Sequence, residues 1–116
     1  MIRLDAVLQN MELLSSNERA DRAGLAMIPL VKTVAGHGPA APQDPALAAL
    51  AVGGPVPVGT ALPALAFPPA GVWDRAAVIS LTNAELNDLD WFYNVRFAGA
   101  SIAHRRVAFL AFLGSR

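Results

Sequence analysis

The feature that most constrains this chain is the stretch from Pro45 to Trp73, which carries no charged side chain. Five of the nine prolines of the chain lie between residues 55 and 69, among large apolar residues. A flexible, solvated linker has low hydrophobicity and high net charge, and this stretch has neither property. A membrane-spanning helix is also excluded, because it needs about 20 consecutive apolar residues in helical geometry and the prolines interrupt this run. We therefore expect the stretch to lie against a protein surface.

The prolines also determine the conformation of this region. Each proline fixes its own φ angle and lacks an amide donor, so most of residues 37–73, hereafter the strap, should be extended or polyproline-like. One short helix is the expected exception. Asp44 can cap it, Pro45 suits its first turn, and Gly53 and Gly54 would end it.

The strap needs a surface large enough to offset the entropy lost when it is ordered. Ordering a residue costs roughly 1–2 kcal/mol of backbone entropy, and fully burying a large apolar side chain stabilises the fold by about 1.5–3 kcal/mol. Burial of one side of the strap against its own small domain only just balances these terms. We therefore expect a neighbouring subunit to cover its other side. The alternative is a strap that lies entirely over the core of its own chain.

Length and composition indicate one domain over residues 1–116, with a helical region (1–36), the strap, and a second helical region (74–116). Hydrophobic residues make up 54% of the chain and charged residues 16%, against about 25% charged residues in typical domains. This balance favours protein partners over a free monomer. The formal net charge of zero argues against charge-driven binding to nucleic acid or membrane surfaces, and the absence of cysteine excludes disulfides and thiolate metal sites.

Residues 2–14 have the pattern of an amphipathic helix. The apolar residues at helical spacing are Leu4, Val7, Leu8, Met11 and Leu14. Ser15 and Glu18 have the spacing of a capping box, which predicts that a second helix begins there and continues toward Ile28, before Pro29. One long bent helix is the alternative. Polar residues interrupt the apolar run, so we expect no signal peptide and a cytoplasmic or virion location.

A helix over residues 83–96 is predicted by the capping-box spacing of Thr82 and Glu85. Its apolar face consists of Leu86, Leu89, Tyr93 and Phe97, widened by Trp91, Phe92 and Val95. Residues 75–81, just before it, are short and apolar and form either a strand or a turn of helix.

A last helix over residues 102–113 is predicted between an N-cap at Ser101 and a stop at Gly114. Its large apolar residues, Val107, Phe109, Leu110, Phe112 and Leu113, cover nearly the whole circumference, which is typical of a buried helix. The two C-terminal helices should therefore form a helical hairpin that other elements cover. The predicted fold class is mainly α.

No residue pattern indicates catalysis, a metal or a cofactor. His37 and His104 are the only histidines and have no metal-ligand spacing. Ser101 and His104 lie three residues apart, as a nucleophile and its base could, but an N-cap explains Ser101 better. Residues 36–41 loosely fit a dinucleotide-binding GxGxxA loop. Such a loop must be followed by a helix, and prolines disrupt the helix here. We predict no enzymatic activity, no cofactor and no small-molecule substrate.

The candidate functional residues are those expected to contact other subunits. The basic patch of His104, Arg105 and Arg106 with Arg96 could touch phosphates, but we favour a solvated or inter-subunit face. The aromatic run at residues 91–93 fits an interface hot spot and core packing equally well. The predicted interface residues are Val56, Val58, Leu62, Leu65, Phe67, Trp73, Trp91, Tyr93, Arg105 and Arg106.

These observations favour a non-enzymatic structural or assembly subunit whose partners are other protein subunits. Within that class, the best hypothesis is a small virion protein, such as a phage capsid, decoration or connector protein. The alternative is a soluble adaptor or chaperone-like module that holds one partner with its C-terminal helices. A small nucleic-acid-associated regulator is the weakest hypothesis because the net charge is zero.

Overall fold

The computed structural model describes residues 4–39, 41–68 and 71–114. In these residues it has five helices: α1 (Leu4–Arg22), α2 (Pro45–Val52), α3 (Arg75–Val78), α4 (Asn83–Tyr93) and α5 (Ile102–Leu113). The β structure of the same residues is limited to two isolated antiparallel bridges, Met27 with Trp73 and Val31 with Ala61. The predicted mainly α fold class is therefore confirmed.

The N-terminal region forms one helix rather than two. α1 continues from Leu4 to Arg22, so the predicted helix start at Ser15 is wrong and the alternative of one long helix describes this region. No glycine or proline interrupts these residues, so the backbone hydrogen bonds continue past Ser15. The helix ends before Gly24, whose φ of +73° is left-handed, and it does not reach Ile28.

The face of α1 that points inward is not the predicted apolar stripe. Of that stripe, Leu8 and Met11 are 59% and 58% exposed, Val7 and Leu14 are half-buried, and the side chain of Leu4 lies outside the described residues. The buried residues of α1 are instead Ala6, Asn10 and Asn17. Polar partners, together with the half-buried Leu13 and Leu14 that pack against the core, therefore set the orientation of this helix.

Asn10 and Asn17 hold the extended segment that follows α1. The Asn10 amide accepts a hydrogen bond from the Val31 N–H at 2.9 Å and donates one to the Val31 carbonyl at 2.9 Å. The Asn17 amide does the same with Ile28, at 2.7 and 2.8 Å. Seven helical residues rise about 10.5 Å, and three extended residues span about 10 Å. The two asparagines therefore match the spacing of two backbone sites on the segment, and we call this arrangement the amide ladder.

The strap covers the core of its own chain. Its short helix α2 forms as predicted, because Asp44 caps it by accepting the Ala46 N–H, Pro45 opens it and Gly53 closes it. Four large side chains of the strap, those of Leu47, Val56, Phe67 and Trp73, are buried in the core cluster. The burial of these four side chains agrees with the alternative prediction, in which the strap lies over the core of its own chain.

Two buried carboxylates hold the strap in place. Asp88 of α4 accepts the N–H groups of Gln43 and Asp44, both at 2.9 Å. Asp44 in turn accepts the Ala66 N–H at 2.7 Å, in addition to its capping bond. These side chains supply acceptors that a neighbouring strand would supply in a sheet.

Lys32 is a fully buried cation that joins the strap to the end of α4. Its ammonium donates to the Phe92 carbonyl at 2.6 Å and to the Gly36 carbonyl at 2.5 Å. The Phe92 carbonyl belongs to the last turn of α4, where the helix dipole favours a positive charge. Burial lowers the pKa of Lys32. The backbone of the same residue also pairs with Gly59 and Thr60 of the strap.

The helix caps predicted for the C-terminal third are present in the structure. Thr82 and Glu85 form the predicted capping box, and Ser101 and Gly114 cap α5 as predicted. Residues 75–78 take the helical alternative. α4 stops at Tyr93, three residues earlier than predicted, because the next residue adopts the left-handed conformation with φ of 51°.

α4 and α5 do not form a simple antiparallel hairpin. The C-terminal ends of the two helices lie together, and so do their N-terminal ends. Tyr93, at the end of α4, contacts Phe112 near the end of α5, with ring centroids 4.8 Å apart. Arg105, near the start of α5, hydrogen-bonds Asn83 at the start of α4. Residues 94–101 therefore carry the chain back along α4 before α5 begins.

Replacing Asn17 with alanine should lower the free energy of unfolding by about 1–3 kcal/mol, measured by denaturant titration. The change leaves the Ile28 amide and the Ile28 and Leu113 carbonyls without the partner that now binds them. Gln9→Ala, on the exposed side of the same helix, is the matched control and should change stability by less than about 0.5 kcal/mol. Equally small effects of the two substitutions would show that the amide ladder does not hold α1.

Candidate interaction surface

Five of the ten predicted interface residues lie inside the core of the chain. Val56, Phe67, Trp73, Trp91 and Tyr93 are each at most 8% exposed. Side chains buried this deeply have no surface to offer a neighbouring subunit, so their prediction as contact residues is corrected. They are apolar because they build the core, which the sequence pattern alone could not distinguish from an interface.

Tyr93 and Trp91 have specific partners within the core. The Tyr93 hydroxyl donates to the Leu30 carbonyl at 2.7 Å, and burial raises the pKa of this phenol. The Trp91 ring stacks on His37, with centroids 4.0 Å apart. His37 Nδ1 lies 3.2 Å from the Trp91 carbonyl, and Nε2 accepts the Val56 N–H at 3.1 Å. His37 is therefore a structural link between the strap and α4, with its proton on Nδ1.

Arg105 is occupied by contacts within the chain. Its guanidinium donates to the Phe97 carbonyl at 2.8 Å and to the side-chain oxygens of Asn83, Asn87 and Asp90 at 2.9, 3.0 and 3.1 Å. Burial raises the pKa of Asp90, while the Phe97 N–H and the nearby Arg105 charge act in the opposite direction. This side chain positions α5 against α4 and has no donor directed at a partner.

Arg106 and the exposed Arg96 complete the basic patch. Arg106 Nε donates to the Leu81 carbonyl at 2.8 Å, which fixes the start of α4 to α5. Arg96 is exposed. Because Arg105 and Arg106 donate hydrogen bonds within the chain, the patch is a weak candidate for phosphate contacts.

Three predicted interface residues remain partly accessible. Val58, Leu62 and Leu65 of the strap are half-buried, and Leu62 and Leu65 pack against the core from outside. Their role in contacts with other subunits stays a prediction.

Ser101 and His104 lie close together at the start of α5. The Ser101 hydroxyl is 2.8 Å from His104 Nδ1 and also accepts the His104 backbone N–H at 3.3 Å. Both residues are exposed, and in the described part of the chain no carboxylate hydrogen-bonds this histidine. The geometry is that of a helix cap. Within residues 4–39, 41–68 and 71–114, no three His, Asp or Glu side chains are grouped to hold a metal ion.

One cleft has a volume of about 560 Å³ and lies between α4 and residues 94–99. Its lining includes Trp91 and Phe97 and the charged residues Asp90, Arg96 and Arg105. Those two groups are bonded to each other, and the second Asp90 oxygen accepts the Phe97 N–H at 2.9 Å. This pair of charges therefore stabilises the turn after α4.

Two helix faces carry apolar residues on the outside of the molecule. The α1 outer face consists of Leu8, Met11 and Ser15, all of which are exposed, and it lies opposite Asn10 and Asn17. The α5 outer face consists of Ala103, Val107 and Ala111, four residues apart and all exposed; Val107 is 61% exposed. Neither face was among the predicted interface residues. The apolar stripe of α1 was visible in the sequence, but its direction was not.

The two helices differ in charge. α1 contains four acidic residues (Asp5, Glu12, Glu18 and Asp21) and two basic ones (Arg19 and Arg22). α5 contains two arginines and one histidine and no acidic residue. The arginines of α5 are bound within the chain, as described above.

No known protein family, curated protein or solved structure matches this chain. In the described part of the chain, every helix is too short or too polar to cross a bilayer.

Phe67→Ala should lower the free energy of unfolding by about 3–5 kcal/mol, because it leaves a cavity beside Trp73. Val52→Ala, in the same strap but 90% exposed, is the control and should change it by less than about 0.5 kcal/mol. Thermal or denaturant unfolding measures both. A small loss in the first variant would mean that the strap does not belong to the core.

Raising the pH above about 10 should destabilise the chain through Tyr93, whose pKa is raised by burial. Below that pH the phenol is protonated in both states and does not affect stability. Above it, the unfolded chain alone loses the proton, so the free energy of unfolding falls by up to about 1.4 kcal/mol per pH unit. Because Tyr93 is the only tyrosine, its phenolate absorbance should rise only as the chain unfolds.

Tyr93→Phe is the control for this pH effect. It retains Lys32, whose lowered pKa acts in the opposite direction, by stabilising the folded state as the pH rises toward about 10.4. The variant should be less stable at neutral pH, because the Leu30 carbonyl loses its donor, and should lose less stability at alkaline pH. Phenolate absorbance at about pH 10 in a folded wild-type chain would contradict the prediction.

Proposed function

We propose that this chain is a non-enzymatic subunit of a multi-chain protein assembly and that it contacts its neighbours through the α1 outer face. The observation that carries this proposal is the orientation of α1. Two residues of its apolar stripe, Leu8 and Met11, are more than half exposed, while two asparagines face the core. Single exposed leucines are common on protein surfaces, but a stripe at helical spacing on the outer side of a helix is the arrangement used in helix docking.

The half-buried strap residues Val58, Leu62 and Leu65 are the second part of this proposed contact region. Low charge adds support, because 16% charged residues and zero net charge leave little repulsion between copies or partners. Within this class we retain a small virion protein as the working hypothesis, on composition alone. The competing function is an adaptor that holds one partner. An assembly subunit is present in several copies per complex, whereas an adaptor binds its partner one to one.

The test is the native size of the chain in an extract of the cells or particles that contain it. An assembly subunit should migrate in complexes many times larger than its own 12.1 kDa and in several copies. An adaptor should migrate as a one-to-one complex. Recovery of the chain as a 12.1 kDa monomer would overturn the proposal.

The double substitution of Leu8 and Met11 by aspartate should move the chain into the monomer fraction without loss of helical circular dichroism, because both side chains are exposed. Val52→Asp, at a 90% exposed site elsewhere, is the matched control and should leave the complex intact. Equal behaviour of the two variants would place the contact away from α1.

A further inference from the structure

We infer that His37 is a pH-sensitive latch. It holds residues 53–58 of the strap, hereafter the Val56 loop, while its imidazole ring is neutral, and it releases this loop when the ring takes up a second proton. The latch is a property of the folded chain alone and is independent of the proposed contacts with other subunits. Three features support this role: the hydrogen bonds of the ring, the charges around it and the short loop that it holds.

Both nitrogens of the His37 ring are bound to backbone groups of other segments. Nδ1 lies 3.2 Å from the Trp91 carbonyl, which can only accept a hydrogen bond, and Nε2 lies 3.1 Å from the Val56 nitrogen, whose N–H can only donate one. Both bonds therefore form only when the proton is on Nδ1 and Nε2 carries a lone pair. An imidazolium ring is a donor at both nitrogens, so it cannot accept the Val56 N–H.

Protonation breaks the contact on one side of the ring only. The imidazolium keeps its Nδ1–H for the Trp91 carbonyl, and it can stay stacked on the Trp91 ring, where the centroids are 4.0 Å apart and the planes 6° apart. A cation over the face of an indole ring is attracted to it. The protonated ring therefore stays on α4, and the bond that must break is the one to the Val56 loop.

The charges around His37 give a second proton no ion pair. The charged side chains of the surrounding segments are those of Lys32, Asp44, Asp88, Asp90, Arg96 and Arg105. The three carboxylates are bound elsewhere, since Asp44 and Asp88 accept backbone N–H groups and Asp90 binds Arg105. Lys32 binds the Gly36 carbonyl, one residue from His37, and adds a like charge. A proton on Nε2 is therefore not compensated inside the closed fold.

The Val56 loop is short, and its two ends are fixed. α2 ends at Val52 before it, and after it the Gly59 N–H and the Thr60 carbonyl pair with the backbone of Lys32. The Val56 side chain is 5% exposed and belongs to the core cluster. Release of the loop therefore uncovers an apolar side chain while both ends of the loop stay in place.

The experiment follows amide hydrogen exchange of the full wild-type chain by NMR, corrected for the intrinsic pH dependence of exchange. A histidine with no bond at Nε2 takes up a proton near about pH 6.5, so each pH unit below that value should raise opening of the loop about tenfold. Protection of the Val56 N–H should therefore fall about thirtyfold between about pH 7.5 and about pH 5.

The internal control is the Val31 N–H, which binds the Asn10 amide oxygen at 2.9 Å, a group that does not titrate. Its protection should stay unchanged over the same pH range. An equal fall at Val56 and Val31 would overturn the inference, because the loss of protection would then be global. Constant protection of Val56 down to about pH 5 would overturn it as well.

Two variants assign the response to one histidine. His37→Gln supplies an acceptor and donors that do not titrate, so its Val56 protection should not depend on pH in this range. His104→Gln, at the exposed histidine of α5, should keep the wild-type response. A wild-type response in the first variant, or its loss in the second, would contradict the latch. If His37→Gln does not fold, the wild-type chain and His104→Gln still decide the question.

Discussion

The structure depends on pairing the backbone polar groups of a long irregular chain without a β-sheet. Buried N–H and C=O groups must have partners, and in most folds strands supply them to one another. Here side chains do so. Asn10, Asn17 and Asp88 on the helices, with Asp44 and Lys32, bind backbone atoms of residues 28–66 and of the helix ends. Every buried side-chain nitrogen and oxygen of the described residues has a partner.

This requirement explains why α1 turns Leu8 and Met11 outward. The amide ladder needs Asn10 and Asn17 to face the segment at residues 28–31, and the helix can present one side only. Leu8 and Met11 lie on the other side and become exposed. An unpaired buried amide or carbonyl costs about 1–3 kcal/mol, whereas an exposed leucine is common on protein surfaces. Within one chain the polar contacts therefore decide the orientation, and Leu8 and Met11 remain exposed.

Local signals were readable from the sequence, and long-range pairing was not. The caps at Asp44, Thr82 and Ser101 were predicted because each side chain binds a backbone group within three residues. The ladder was missed because Asn10 binds a residue 21 positions away, and an asparagine on a helix gives no sign of such a partner. The false helix start at Ser15 is an exception among the local signals, because the Ser15–Glu18 spacing is present but α1 has no break at which a cap could form.

The strap illustrates the limit of compositional arguments. Its lack of charge correctly indicated a segment that lies against protein, but an energy balance could not say which protein. Asp88 and His37 show that the chain itself supplies one of these surfaces, because Asp88 accepts the N–H groups of Gln43 and Asp44 and His37 accepts the Val56 N–H. Prolines lack an amide donor, so the strap has fewer amides to pair than a regular strand of the same length, and individual side chains can bind them. The prolines that suggested an external partner therefore also allow the strap to pack against its own chain, while contacts of Val58, Leu62 and Leu65 with other subunits stay a prediction.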